Sequence, residues 1–197
     1  MEQTFIYIVD GAKGSDEVEQ QKSRIYIREF VLDDAESLLK LNVENREIFE
    51  AITPISKDDS FYTLDAHLQL IEDWKQARQQ GNRFDFGLFE IHNNKLIGMI
   101  GLYKFGAAEK CILGYSLDKA HYGKGYATEA VRLILDVAFK ELGFHRVEAG
   151  VMPRNIGSAR VLEKVGFVQE GLARDYIKIN GIWEDHYMFS ILEGDSY

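Results

Sequence analysis

The stretch "CILGYSLDKAHYGKGYATEAVRLILDVAFKELGFHRVEAGV", residues 111–151, constrains the fold more than any other part of this chain. An apolar extended run meets a glycine pair, a helix follows, and a second extended run comes after it. Within the helix Ala127, Ala130, Val131, Ile134 and Ala138 recur at the spacing of one buried face, and Gly143 ends it. A strand-helix-strand unit of this length closes as a right-handed crossover, which sets its two strands parallel in one sheet.

The remaining elements surround that unit. "RIYIREF" reads as a strand through Ile25 and Ile27. In "DDAESLLKLNVENREIFEAI" a helix is predicted, with Asp33 and Glu36 spaced as a capping box. A second helix, "TLDAHLQLIEDWKQARQQG", places Leu64, Leu68, Ile71 and Trp74 on one stripe and stops at Gly81. "RFDFGLFEI" and "KLIGMIGLYKF" form a hairpin turning at Asn93 and Asn94, residues that tolerate the left-handed conformation. "NIGSARVLEKVGF" is a short helix between an Asn155 cap and Gly166, and the last two strands turn at Asn180-Gly181. The order β-α-α-β-β-β-α-β-α-β-β predicts an α/β chain with a mixed, mostly antiparallel sheet and helices on both faces. Residues 1–23 read as an appendage, a short strand in "TFIYIVD" and a polar connector; the domain proper is expected over 24–197.

Composition narrows the functional classes. A length of 197 residues suits one domain. A net charge of −9 opposes gripping a phosphate backbone, so no nucleic-acid partner is expected. The acidity suits a cationic substrate, although solubility alone also explains it. Cys111 is the only cysteine, which excludes an intramolecular disulfide and a multi-cysteine metal site and fits a reducing cytoplasm. The five histidines show no ligand spacing, so no metal is expected. The apolar run "FIYIV" is too short for a signal peptide, and none approaches the roughly 18–20 residues of a membrane span, so no membrane partner is expected.

The pair Gly123 and Gly125 needs a reason, because glycine weakens a helix start. A P-loop is excluded: Asp118 stands where its first glycine belongs, and Gly125 follows Lys124 in place of Ser or Thr. The dinucleotide fingerprint fails at Thr128. What remains is a helix start whose unpaired N–H groups and dipole favour an anion, with glycines allowing close approach and Lys124 adding charge. A diphosphate fits such a place.

"AHYGKGYATEAV" together with "RNIGSARVLEKVGF" resembles the GNAT acetyltransferase superfamily. Its signature Gln/Arg-x-x-Gly-x-Gly/Ala reads here Ala120-His121-Tyr122-Gly123-Lys124-Gly125, with alanine in place of the first Gln or Arg. Asn155, Ser158 and "LEKVGF" resemble the branch of ribosomal-protein N-terminal alanine acetyltransferases (the RimJ/RimL type), as do "IYIREFVLDDAESLLKL" and "NGIWEDHYMFSIL". The resemblance spans about residues 24–193 and implies acetyl-CoA as cosubstrate. It implies that the backbone of His121, Tyr122, Gly123, Lys124, Gly125, Tyr126 and Ala127 holds the pyrophosphate. It further implies that the pantetheine arm enters beside Tyr115, Ser116 and Leu117, where the strand splays from its parallel neighbour, and that Asn155 bonds the arm. A homodimer is common in that branch, and the N-terminal strand is a candidate for joining a partner's sheet.

Acetyl transfer to an amine needs a neutral nucleophile, donors for the oxyanion and a proton for the leaving thiolate. It needs no protein nucleophile, and Cys111 reads as a small buried strand residue. Ser158 is the candidate proton donor, although Asn155 and Ser158 also make sense as helix-capping residues. The base is open between Glu148, Glu109 and a water chain, since Ile112 stands where relatives carry a glutamate. The expected activity is N-acetylation of an amine, most simply a protein N-terminus. The alternatives are a polyamine or other small amine, and a regulatory module that binds acyl-CoA without turnover.

Overall fold

A computed structural model describes residues 6–7, 23–54, 57–104, 106 and 109–197. The strands are β1 (Ile6–Tyr7), β2 (Ile25–Glu29), β3 (Arg83–Glu90), β4 (Leu96–Lys104), β5 (Lys110–Leu117), β6 (Arg146–Val151), β7 (Val168–Ile179) and β8 (Ile182–Leu192). The helices are α1 (Ala35–Glu44), α2 (Arg46–Glu50), α3 (Leu64–Gln79), α4 (Tyr126–Asp136) and α5 (Ile156–Val165). One sheet runs in the order β1-β2-β3-β4-β5-β6-β8-β7. β5 and β6 pair parallel and every other pair is antiparallel, as the crossover through α4 requires.

Two apolar layers flank the sheet. Ile25, Ile27, Phe86 and Leu88 pack with Val131, Ile134 and Leu162 of α4 and α5 on one face. Phe89 and Leu96 meet Leu38, Ile71 and Trp74 of α1 and α3 on the other. Successive residues of a strand point to opposite faces, so Leu88 and Phe89 serve opposite layers. The turns follow their residues: Asn94, Asn180 and Gly181 have φ of 59°, 48° and 83°.

Three local expectations are corrected. Asp33 does not cap α1; the Asp34 carboxylate accepts the N–H of Val31 at 2.9 Å and closes a 3₁₀ turn ahead of the helix. Asp34 does this because Arg28 holds it from β2 with two bonds, 2.6 and 2.8 Å, which sequence spacing does not reveal. Leu64 lies exposed on the first turn of α3, while His67 is fully buried there, bonded to Thr63 O and facing Asn42. α4 does not stay α-helical to Gly143; Val137–Glu141 widens into a π turn that still buries Val137, Ala138 and Phe139. β1 pairs with β2 of its own chain, Ile6 opposite Arg28. Of the polar connector expected over residues 11–23, all but Ser23 lies outside the described residues.

Candidate active site

The parallel pair opens into a wedge. β5 and β6 are in register only at Lys110, Cys111 and Ile112 opposite Arg146, Val147 and Glu148. Beyond that point β5 stays on β4, with Gly98 opposite Leu117, and β6 stays on β8, with Val151 opposite Tyr187. Each strand is pulled toward its antiparallel neighbour, and the gap between them cannot close. The gap holds a cavity of about 150 Å³ lined by Leu113, Gly114 and Tyr115 on one side and by Ala149, Gly150 and Val151 on the other. It adjoins a groove of about 400 Å³ at Ile52, Tyr115, Asn155 and Ser158. The groove runs past Ser116, Leu117, Tyr126 and Ala127 to the glycine loop.

The loop is built by local chemistry. Asp118 caps a 3₁₀ turn by accepting the N–H of Ala120 at 3.1 Å, and its main-chain carbonyl accepts that of His121 at 2.8 Å. Tyr122 donates to Lys119 O at 3.2 Å. The two following glycines turn left-handed, with φ of +71° at Gly123 and +84° at Gly125, and α4 starts at once. Among the described residues no acceptor takes the N–H groups of Gly123, Lys124, Gly125, Tyr126 or Ala127. A Cβ on Gly123 would meet open space, so the cradle is free of protein atoms there. These five amides, at a helix start beside a groove, form a ready anion site. The expected cradle is shortened at its start, because the amides of His121 and Tyr122 serve the preceding turn.

The charge at this end comes from elsewhere than expected. Lys124 does not line the groove; its Nζ donates to Ala120 O at 2.8 Å. Arg160 and Lys164, exposed on α5, do line it. Sequence reading missed both, although their spacing of four on "ARVLEKV" puts them on one helix face. His121 is buried between carboxylates, Nδ1 3.3 Å from Asp118 and Nε2 3.6 Å from Glu90.

Toward the wedge, Asn155 Oδ1 accepts the N–H of Ser158 at 3.2 Å, so the cap leaves the Asn155 amide N–H₂ to face the groove. Ser158 Oγ is 2.7 Å from Tyr115 Oη. Burial pushes the Tyr115 phenol up to about 12 although the Ser158 contact pulls the other way, so it stays protonated at neutral pH. Ser116 Oγ is buried without a hydrogen-bond partner among the described residues, at the groove wall. The structure thus brings Ser116, Leu117, His121, Tyr122, Gly123, Gly125, Tyr126, Ala127, Asn155 and Ser158 to one groove.

Glu148 is not brought there. It lines neither cavity; its carboxylate takes Arg146 Nε at 2.8 Å and Lys110 Nζ at 3.2 Å. Burial opposes its ionisation, yet these two cations hold its carboxyl below the ordinary range. An ion-paired carboxylate is a poor proton acceptor. Glu109 is also outside, in the bend before β5. Cys111 is buried and its thiol is pushed up to about 12, which rules out an activated nucleophile. Among the described residues no group of three or more His, Cys, Asp or Glu is placed to hold a metal, and no described helix is long and apolar enough to cross a membrane.

A helix-start anion cradle opening into a splayed strand pair defines a class of transferase, one that threads a long cosubstrate with an anionic tail to a reacting group between the strands. The chain belongs to the GNAT acetyltransferase family, whose domain, "Acetyltransferase (GNAT) domain", matches residues 24–168. It is an N-acetyltransferase that uses acetyl-CoA. It is 48% identical over 173 residues to "Probable N-acetyltransferase YjcK" of Bacillus subtilis, covering 87% of this chain and 95% of that one. It is 31% identical over 166 residues to "[Ribosomal protein uS5]-alanine N-acetyltransferase" of Escherichia coli, covering 82% and 84%. The solved ribosomal-protein-S5-alanine acetyltransferase of Vibrio fischeri superposes with a TM-score of 0.81 at 30% identity, covering 92% of this chain and all of that one.

Proposed function

We propose that this enzyme acetylates the free N-terminal amino group of a protein, within a single catalytic domain spanning residues 24–197. The observation that carries the acceptor is the similarity, over 82% of the chain, to a uS5-alanine N-acetyltransferase. The free amides from Gly123 to Ala127 hold the diphosphate, Arg160 and Lys164 flank it, and the Asn155 amide bonds the pantetheine arm. The thioester then lies in the wedge beside Ser158. The amine nitrogen attacks the carbonyl carbon and the C–S bond breaks. The thiolate takes a proton from Ser158 Oγ, and Ser158 regains one from Tyr115 Oη, 2.7 Å away. Tyr115 is reprotonated from solvent, while the amine releases its own proton to a base.

Thiol release from acetyl-CoA tests this with three acceptors: a hexapeptide with a free N-terminal alanine, its N-terminally blocked copy carrying a lysine, and spermidine. Saturable turnover of the free-alanine peptide alone is expected. Turnover of spermidine alone would move the acceptor to small amines. Binding without turnover of any acceptor would make the chain a regulatory module. Ser158→Ala should lower kcat by about 10²-fold with acetyl-CoA affinity unchanged; full activity in that variant would remove its acid role.

A further inference from the structure

With Glu148 committed to Arg146 and Lys110, the wedge contains another proton acceptor. His186 of β8 is 4% exposed and lines the same cavity as Tyr115 and Ser158. Its Nδ1 is 3.0 Å from the main-chain oxygen of Glu184. A carbonyl only accepts, so in the neutral imidazole Nδ1 carries the hydrogen and Nε2 the lone pair. Among the described residues nothing donates to Nε2, and Nε2 is not sealed in as an orphan atom. The ring lies over Gly150, where a Cβ would make ordinary contact with His186 Cδ2 at 3.5 Å. Gly150 is on β6, one of the two strands whose parting makes the cavity.

The charged groups around the ring are committed to other partners. From β7 the Tyr176 ring packs against it at 5.5 Å. On β8 itself the Glu184 carboxylate is taken by Arg154 at 2.7 Å, and Asp185 accepts the N–H of Asp175. Tyr115, across the cavity on β5, stays protonated. No described carboxylate bonds the imidazole.

We propose that His186 Nε2 is the base that takes the proton from the acceptor amine. This rests on the acyl-transfer reading above but not on which amine is used. The amine proton passes to Nε2 as the N–C bond forms and the C–S bond breaks; Ser158, beside Tyr115 in the same cavity, gives its hydroxyl proton to the leaving CoA thiolate. His186 then returns its proton to solvent. Acid and base thus reach the reacting carbonyl from different elements, α5 and β8, and neither has to serve both ends of the reaction.

The test is a pH profile of kcat for the wild type, His186→Gln and His186→Ala, with the acetyl-CoA dissociation constant measured in each by calorimetry. The free-alanine hexapeptide and spermidine serve as acceptors, and the base acts on whichever is turned over. Expected is a loss of 10²-fold or more in kcat at neutral pH with acetyl-CoA affinity unchanged. The acid limb of the wild-type profile should vanish in both variants, and added imidazole should restore part of the rate in His186→Ala. A kcat within threefold of wild type, or an unchanged acid limb in His186→Gln, overturns the proposal. If only spermidine reacts and the histidine effect persists, the acceptor reading fails and the base assignment stands. Absence of turnover with both acceptors in the wild type overturns both.

Discussion

Gly125 carries the strictest demand on a single residue. At φ +84° a side chain is strained, and an added Cβ would lie 3.3 Å from Arg24 Nη2. At Gly123 the space is open, so the penalty there is only the backbone angle and the lost cradle. Gly123→Asp or Gly125→Asp places a negative side chain where the diphosphate belongs, and calorimetry should show acetyl-CoA affinity reduced by at least 10²-fold. Unchanged affinity would sink the loop assignment. At this scale the sequence was legible where a residue's role is local. Gly123, Gly125, Asn155 and Gly166 stand as glycine turns and a helix cap because φ and capping depend on immediate neighbours. Lys124 was misjudged because its side chain had a nearer acceptor, Ala120 O, inside its own loop.

Between elements, the tie of β2 to α4 fixes where β2 sits. Glu129 on α4 accepts the N–H of Arg24 at 2.7 Å and of Ile25 at 3.2 Å, the Ser23 hydroxyl at 2.8 Å and Arg24 Nε at 3.1 Å. The Arg24 guanidinium in turn takes Lys124 O at 2.8 Å, which ties the strand to the back of the glycine loop. Glu129→Ala leaves two part-buried main-chain N–H groups without this acceptor. A loss of about 1–3 kcal/mol is expected, checked by urea unfolding. The accompanying loosening of the loop should weaken acetyl-CoA binding as well. Sequence periodicity placed α4 and β2 correctly, because apolar spacing is a local record of burial. It could not show this tie, whose partners lie about a hundred residues apart, nor the π turn in which α4 ends.

For the molecule as a whole, the site exists because the sheet's hydrogen bonding runs out at Ile112 and Glu148. The groove is then open along its length, and a cosubstrate filling it must stabilise the fold. At 100 times its dissociation constant acetyl-CoA adds about 2.7 kcal/mol, which raises Tm by about 5–10 °C in a chain of this size. S-acetylpantetheine, which lacks the nucleotide and its diphosphate, should give a much smaller shift at equal concentration. Equal shifts in a thermal scan would mean that the amides from Gly123 to Ala127 contribute nothing. By itself the sequence determined the order of elements, the one parallel pair, the glycine loop and the family, because each is written in local spacing. Only the tertiary structure decided that Tyr115 would meet Ser158 across 43 residues, that Glu148 would be taken by two cations, and that His186 would face the wedge. Those outcomes depend on how far two strands part, and that is set by the competing antiparallel neighbours β4 and β8, which no local pattern records.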